Sequence, residues 1–206
     1  MSRQIYNPSR RDFLKGVAIG TGGYAFGSML IHPKEAMAQS IEGYLEKVPV
    51  GDRWNVAAGG AISWSISFHK ELYDTKGREQ YIEYAKKNWP LIAARSKGFV
   101  DRYGFAGNDA KSAAGIISAM VMIGYGPKQK FEIGEATTEK ARVKCINCEY
   151  WNAMQVRKIT DDLCSVLSQC YWGNLAKAIN PKLTATLVKA RPLGDSVCEW
   201  AFELKA

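Results

Sequence analysis

The sequence predicts an α+β protein, in which a helical N-terminal lobe is followed by a β-β-α-β-β lobe with a mainly antiparallel sheet. Three observations predict it. Between Ala61 and Gly124 apolar residues recur at spacings of three and four, after Pro127 the period drops to two, and one amphipathic stretch separates two pairs of alternating segments. Helices gathered ahead of an antiparallel sheet, rather than alternating with parallel strands, define this class.

In the helical lobe, Tyr81, Ile82, Ala85 and Trp89 form one stripe and Leu91, Ile92, Phe99, Val100 and Tyr103 form another, with Pro90 between them. Proline has no N–H to give to the carbonyl four residues back, so Pro90 is expected to break the helix and start a new one. Asn108 is expected to cap a third helix with the face Ile116, Ile117, Met120 and Val121, closed by Gly124-Tyr125-Gly126-Pro127. Ile62, Trp64, Ile66 and Phe68 alternate as a strand would, but the continuation through Glu71-Leu72-Tyr73 favours helix.

In the second lobe, strands are expected near 129–135, 139–146, 182–190 and 196–204. Between the pairs, Asp161 or Asp162 opens a helix carrying Leu163, Val166, Leu167, Cys170, Leu175 and Ile179, which stops at Asn180-Pro181.

The first 38 residues read as an export signal. Ser9-Arg10-Arg11-Asp12-Phe13-Leu14-Lys15 has the twin-arginine pattern, Val17 to Ile31 is uncharged and rich in glycine, and Ala36-Met37-Ala38 supplies the small-x-small cleavage site. The apolar run is shorter than the roughly 20 residues a membrane span needs. The expected organisation is a signal over 1–38, a helical lobe over 39–127 and a cysteine-containing α+β lobe over 128–206, the last two forming one compact domain. The expected location is the periplasm, with the twin-arginine translocase as a transient partner and no stable membrane span after cleavage.

Charge narrows the partners. Removing 1–38 takes five basic and two acidic residues from totals of 28 and 20, leaving 23 against 18, or +5. These charges are dispersed, with no Lys/Arg run to follow a phosphate backbone, so nucleic acid is not an expected partner. A small-molecule ligand is, and a protein partner or a second copy of the chain remains open.

Five cysteines, Cys145, Cys148, Cys164, Cys170 and Cys198, all lie in the second lobe. Cys145 ends a strand on its apolar face with Cys148 three residues on, and Cys198 sits on the inward face of the last strand beside Trp200 and Phe202. Cys170 shares the apolar stripe of its helix, while Cys164, six residues earlier, falls about 120° away. Three readings stand: disulfides, which are the default in an exported protein; buried free thiols acting as small apolar residues; and a metal, cluster or reactive thiolate site. His69 is the single histidine after residue 38, which argues against a multi-histidine metal centre.

The second lobe resembles the L-2-amino-thiazoline-4-carboxylic acid hydrolase family and, more distantly, the 4-vinyl reductase domain. The resemblance is carried by Arg142-Val143-Lys144-Cys145, Leu163-Cys164, Ile179-Asn180-Pro181-Lys182-Leu183 and Leu193-Gly194-Asp195-Ser196-Val197-Cys198-Glu199-Trp200. It implies a pocket lined by Cys145, Cys164 and Cys198, with Asp195 of the closing motif completing the catalytic set, and hydrolysis of a small cyclic carbon–nitrogen compound. Where an acidic residue is expected after the helix cysteines, the chain has Cys170-Tyr171-Trp172-Gly173, leaving Asp161 and Asp162 as substitutes if they are not helix caps. Cys145-x-x-Cys148 with the later cysteines is also loosely similar to high-potential iron-sulfur proteins. In that reading Cys145, Cys148, Cys170 and Cys198 hold an iron-sulfur cluster or a divalent metal, and the protein transfers electrons. A non-catalytic accessory subunit is the third alternative.

Overall fold

The structure, a computed structural model, describes residues 45–205, so the expected signal over 1–38 lies outside the described residues. Residues from Val48 onward form one compact unit. Its elements are α1 (Val50–Lys76), α2 (Arg78–Arg102), α3 (Ala110–Tyr125), β1 (Lys130–Ala136), β2 (Lys140–Asn147), α4 (Glu149–Val156), α5 (Leu163–Ile179), β3 (Leu183–Lys189) and β4 (Cys198–Leu204). Helices come first and strands follow, as the change of period at Pro127 predicts.

The four strands form one antiparallel sheet in the order β1-β2-β4-β3. Its outward face carries a row of alternating charge at one register level, Glu132 opposite Lys144, Lys144 opposite Glu199, and Glu199 opposite Lys189. Opposite charges directly across a sheet stabilise the pairing and keep that face wet. Glu199 is the best satisfied of them, with Arg142 Nη1 and Lys189 Nζ each 3.3 Å from a carboxylate oxygen.

The inward face is covered by α3 and α5. Ala113, Ala114, Ile117 and Val121 of α3 and Trp172, Leu175 and Ala176 of α5 pack with Val143, Ala185, Trp200 and Phe202. A second cluster lies on the far side of α5, built from Ile62 and Ile66 of α1, Tyr81 and Ala85 of α2, Tyr150 and Met154 of α4, and Leu163 and Leu167. Tyr81, fully buried, donates its hydroxyl to Leu163 O at 3.2 Å.

Two local expectations are corrected. Pro90 does not end a helix, since α2 runs through it from Arg78 to Arg102. Buried Ala85 and Ala93 on either side of it hold α2 against α5, and that packing outweighs one lost backbone bond. The α3 cap is Asp109, whose Oδ1 accepts Ser112 N–H at 2.7 Å, not Asn108. Asp162 opens α5 from its N-cap position, as expected, but makes no side-chain cap hydrogen bond; the two carboxylates instead reach back to the first two helices, Asp161 to Lys70 at 3.2 Å and Asp162 to Arg78 at 2.6 Å. Helix α4 was not foreseen at all.

At the other boundary of α3, Gly126 has φ +93°, and a Cβ there would stand 3.0 Å from the Ala58 side chain. Both facts call for glycine where the chain turns from helix to sheet.

Candidate functional site

Where the two apolar clusters meet, the fold encloses a cavity of about 250 Å³. Tyr125 and Cys148 pack against both clusters, and both line it. Helix α5 supplies one wall, with Cys164, Ser165, Ser168, Tyr171 and Trp172 on the face generated by spacings of three and four. The sheet supplies the opposite wall. Phe131, Cys145 and Cys198 stand at one register level across three strands, and Trp200 lies two residues further along β4. Trp172 and Trp200 stack between these walls with centroids 4.1 Å apart and planes 10° from parallel. Trp89 of α2 and Tyr125 at the end of α3 close the ends.

A short stitched turn carries the chain from β2 into α4. Gln129, 1% exposed, spends both ends of its amide there, giving Nε2–H to Cys145 Sγ at 3.2 Å and accepting Glu149 N–H at 2.9 Å. Asn147 Nδ2 donates to Lys128 O at 2.6 Å and to Glu149 Oε1 at 2.9 Å. Arg191, in the turn before β4, reaches across and donates from Nη2 to Cys145 O at 3.3 Å and to Ile146 O at 3.1 Å. The result fixes Cys148 as the N-cap of α4, its sulfur accepting Trp151 N–H at 3.4 Å.

Among the described residues, no Asp, Glu, Lys, Arg or His lines the cavity. Burial also keeps most of its ionisable groups neutral. It pushes the Tyr125 and Tyr171 hydroxyls up, and likewise the Cys164 and Cys198 thiols. Cys145 and Cys148 are shifted oppositely, each most strongly by the other thiol. The Cys148 neighbour and burial raise Cys145, while the Cys145 neighbour, the Trp151 N–H and the Arg191 charge lower Cys148. One thiol of the pair is therefore the acidic one, and it is the one at the helix N-terminus.

Most hydrogen-bonding groups on the wall are already engaged. Ser165 Oγ donates to Asp162 O at 2.7 Å, Ser168 Oγ to Ser165 O at 3.2 Å, and Tyr171 donates to Ser96 Oγ at 2.9 Å. Trp200 is different, since its buried Nε1–H has no partner among the described residues.

Of the residues singled out from the sequence, Cys145, Cys164 and Cys198 line the cavity together, with Cys148. Cys145 and Cys198 are direct register partners. Two are not brought there. Asp195 is exposed and its Oδ2 accepts Ala190 N–H at 2.8 Å, so it pins the β3–β4 turn in which Gly194 takes the left-handed conformation. Cys170 is turned away, with Lys86 as its charged neighbour. The angular arithmetic was sound, but the cavity lies on the Cys164 side of α5. The sequence reading places Trp89, Tyr125, Tyr171, Trp172 and Trp200 in helices, turns or strands but not in a site, and the signal that points to the wall is the α5 series Cys164, Ser165 and Ser168, small residues on a helix face that otherwise packs.

The metal reading fits poorly. Cys145, Cys148, Cys170 and Cys198 do not converge, and among the described residues no group of three or more His, Cys, Asp or Glu is arranged to hold an ion. All five cysteines are unbridged in this structure. Among the described residues no helix is long and apolar enough to cross a membrane. No family model matches the chain, and no curated protein matches it.

Proposed function

We propose that the protein is an exported binder of a small, uncharged, ring-containing carbon–nitrogen compound, held in the cavity between α5 and the sheet. The observation that carries this reading is the cavity itself, about 250 Å³ and walled by the stacked Trp172–Trp200 pair. An apolar cavity of about 150 Å³ accepts benzene, so this one suits one or two rings. Flat aromatic walls favour a planar ligand.

Neutrality follows from the lining. A carboxylate taken into this cavity would leave water without a cation to meet it, at a cost of several kcal/mol. The carboxylic acid substrate implied by the family resemblance is therefore disfavoured, and an uncharged relative is preferred.

Hydrolysis is the second reading, and Cys148 at the N-cap of α4 is the observation that favours it. A thiolate there can add to an electrophilic ring carbon, but the lining contributes no carboxylate or imidazole to activate water for the second half of the reaction. Binding is accordingly the primary reading.

Calorimetric titration of the protein with benzothiazole and with its carboxylate tests the proposal. Saturable one-to-one binding of the neutral ring, at least tenfold tighter than the carboxylate, is expected. Equal binding of both, or none of the neutral ring, contradicts it.

A further inference from the structure

We propose that Cys148 and Cys145 are a thiol–disulfide exchange pair, with Cys148 attacking a small neutral disulfide that enters the cavity and Cys145 resolving the product. Both thiols line the cavity and are three residues apart across the stitched turn. Each sulfur accepts an N–H in that turn, Cys145 from Gln129 Nε2 at 3.2 Å and Cys148 from Trp151 at 3.4 Å. Cys148 is the more exposed residue of the two, Cys145 being 1% exposed.

The surroundings suit those roles. The Cys148 sulfur accepts the Trp151 N–H at 3.4 Å and stands at the positive end of α4, which stabilises a thiolate. The guanidinium of Arg191, held by the Cys145 and Ile146 carbonyls, adds positive charge to the same turn. Cys198 lies opposite Cys145 and its sulfur accepts Arg191 N–H at 3.4 Å, and Cys164 stands in the first turn of α5, but burial raises both thiols.

The steps balance. The Cys148 thiolate bonds to one sulfur of the disulfide, whose S–S bond breaks and releases one thiolate. Cys145 passes its proton to that thiolate and bonds to the Cys148 sulfur, expelling the second half, which leaves as a thiol with the proton Cys148 gave up. The protein loses two hydrogens and gains one disulfide, and the small disulfide is reduced to two thiols. The cavity is needed as the way in, whatever ring compound it otherwise binds.

The test uses the reduced protein and dipyridyl disulfide, an uncharged aromatic disulfide whose thiopyridone product absorbs light. The wild type is expected to release two thiopyridones per chain in its fastest phase, and peptide mass spectrometry is expected to find Cys145 joined to Cys148. In Cys145→Ser the fast phase falls to one thiopyridone and a mixed disulfide stays on Cys148. In Cys148→Ser the fast phase slows at least tenfold. Cys170→Ser leaves it unchanged, and near-ultraviolet circular dichroism checks that each variant is folded. A fast phase that survives Cys148→Ser in full, a stable mixed disulfide in the wild type, or a bond joining Cys145 to Cys198 overturns the proposal. Because the exchange is read from thiol release and peptide masses, it stands or falls apart from benzothiazole binding.

Discussion

The two apolar clusters of this protein are built from different materials. Among the described residues the sheet-side cluster contains seven alanines, Ala93, Ala110, Ala113, Ala114, Ala141, Ala176 and Ala185, and the helix-side cluster contains one, Ala85. Small residues on α3 and the strands allow α3 to pack closely on the sheet, while the helix-side cluster is filled by the larger Tyr81, Tyr150, Ile66 and Met154. Along α5, which belongs to both, the two spacings meet, and the cavity sits at that seam. The difference teaches that the cavity is a consequence of how the layers are spaced and not a hole in either core.

The largest expected effect is on the sheet side. Trp172 is 2% exposed, stacks on Trp200 and meets Phe131 edge-on at 5.6 Å. Replacing it by alanine enlarges the cavity and removes the stack, and should cost about 3–5 kcal/mol in urea unfolding. A loss below about 1 kcal/mol would mean that the clusters adjust freely, and the contrast between them would not hold.

On the helix side the expected signature is pH dependence. His69 is 5% exposed in a box of aromatic rings from Phe68, Tyr81, Tyr84 and Trp89, and its Nδ1 has no partner among the described residues. Burial lowers its pKa from 6.5 to about 4. Between those values the unfolded chain holds more protons, so stability falls as pH drops from 6.5 toward 4, by about 3 kcal/mol at most. His69→Phe should flatten that part of the stability profile. An unchanged slope in the variant would place the pH sensitivity elsewhere.

The sequence made the layers legible because strands of seven or eight residues with one buried face carry a clear period of two, as in β2, where Ala141, Val143 and Cys145 are buried and their neighbours are not. It also put Cys145 and Cys198 near one another, since both fall on inward positions of strands that prove to be neighbours. Helix α4 stayed hidden because its eight residues span barely two turns, too few for a stripe, and because its cap is a cysteine rather than the usual Ser, Thr, Asp or Asn. The cavity stayed hidden for a different reason. Its lining comes from four helices, the sheet and two turns, and no local pattern records the distance between layers. Asp195 illustrates the same gap, since a Gly-Asp turn and a catalytic carboxylate look alike until the hydrogen bond to Ala190 is seen.

Asp195 therefore gives a smaller but discriminating test. Asp195→Ala removes one turn hydrogen bond and should lower stability by about 1 kcal/mol without weakening benzothiazole binding. A loss of binding at unchanged stability would return Asp195 to the site.

Filling the seam should have the opposite sign. Ser168 lines the cavity and its hydroxyl bonds only within its own helix among the described contacts, so Ser168→Leu is expected to raise stability by about 0.5–2 kcal/mol. That variant also gives the most direct test of the central claim that the seam is a ligand pocket. Calorimetry of benzothiazole with the wild type and with Ser168→Leu should show one-to-one binding in the first and at least tenfold weaker binding in the second, with the variant still folded. Equal affinity in the two proteins would contradict the claim, because a ligand indifferent to a filled cavity binds elsewhere.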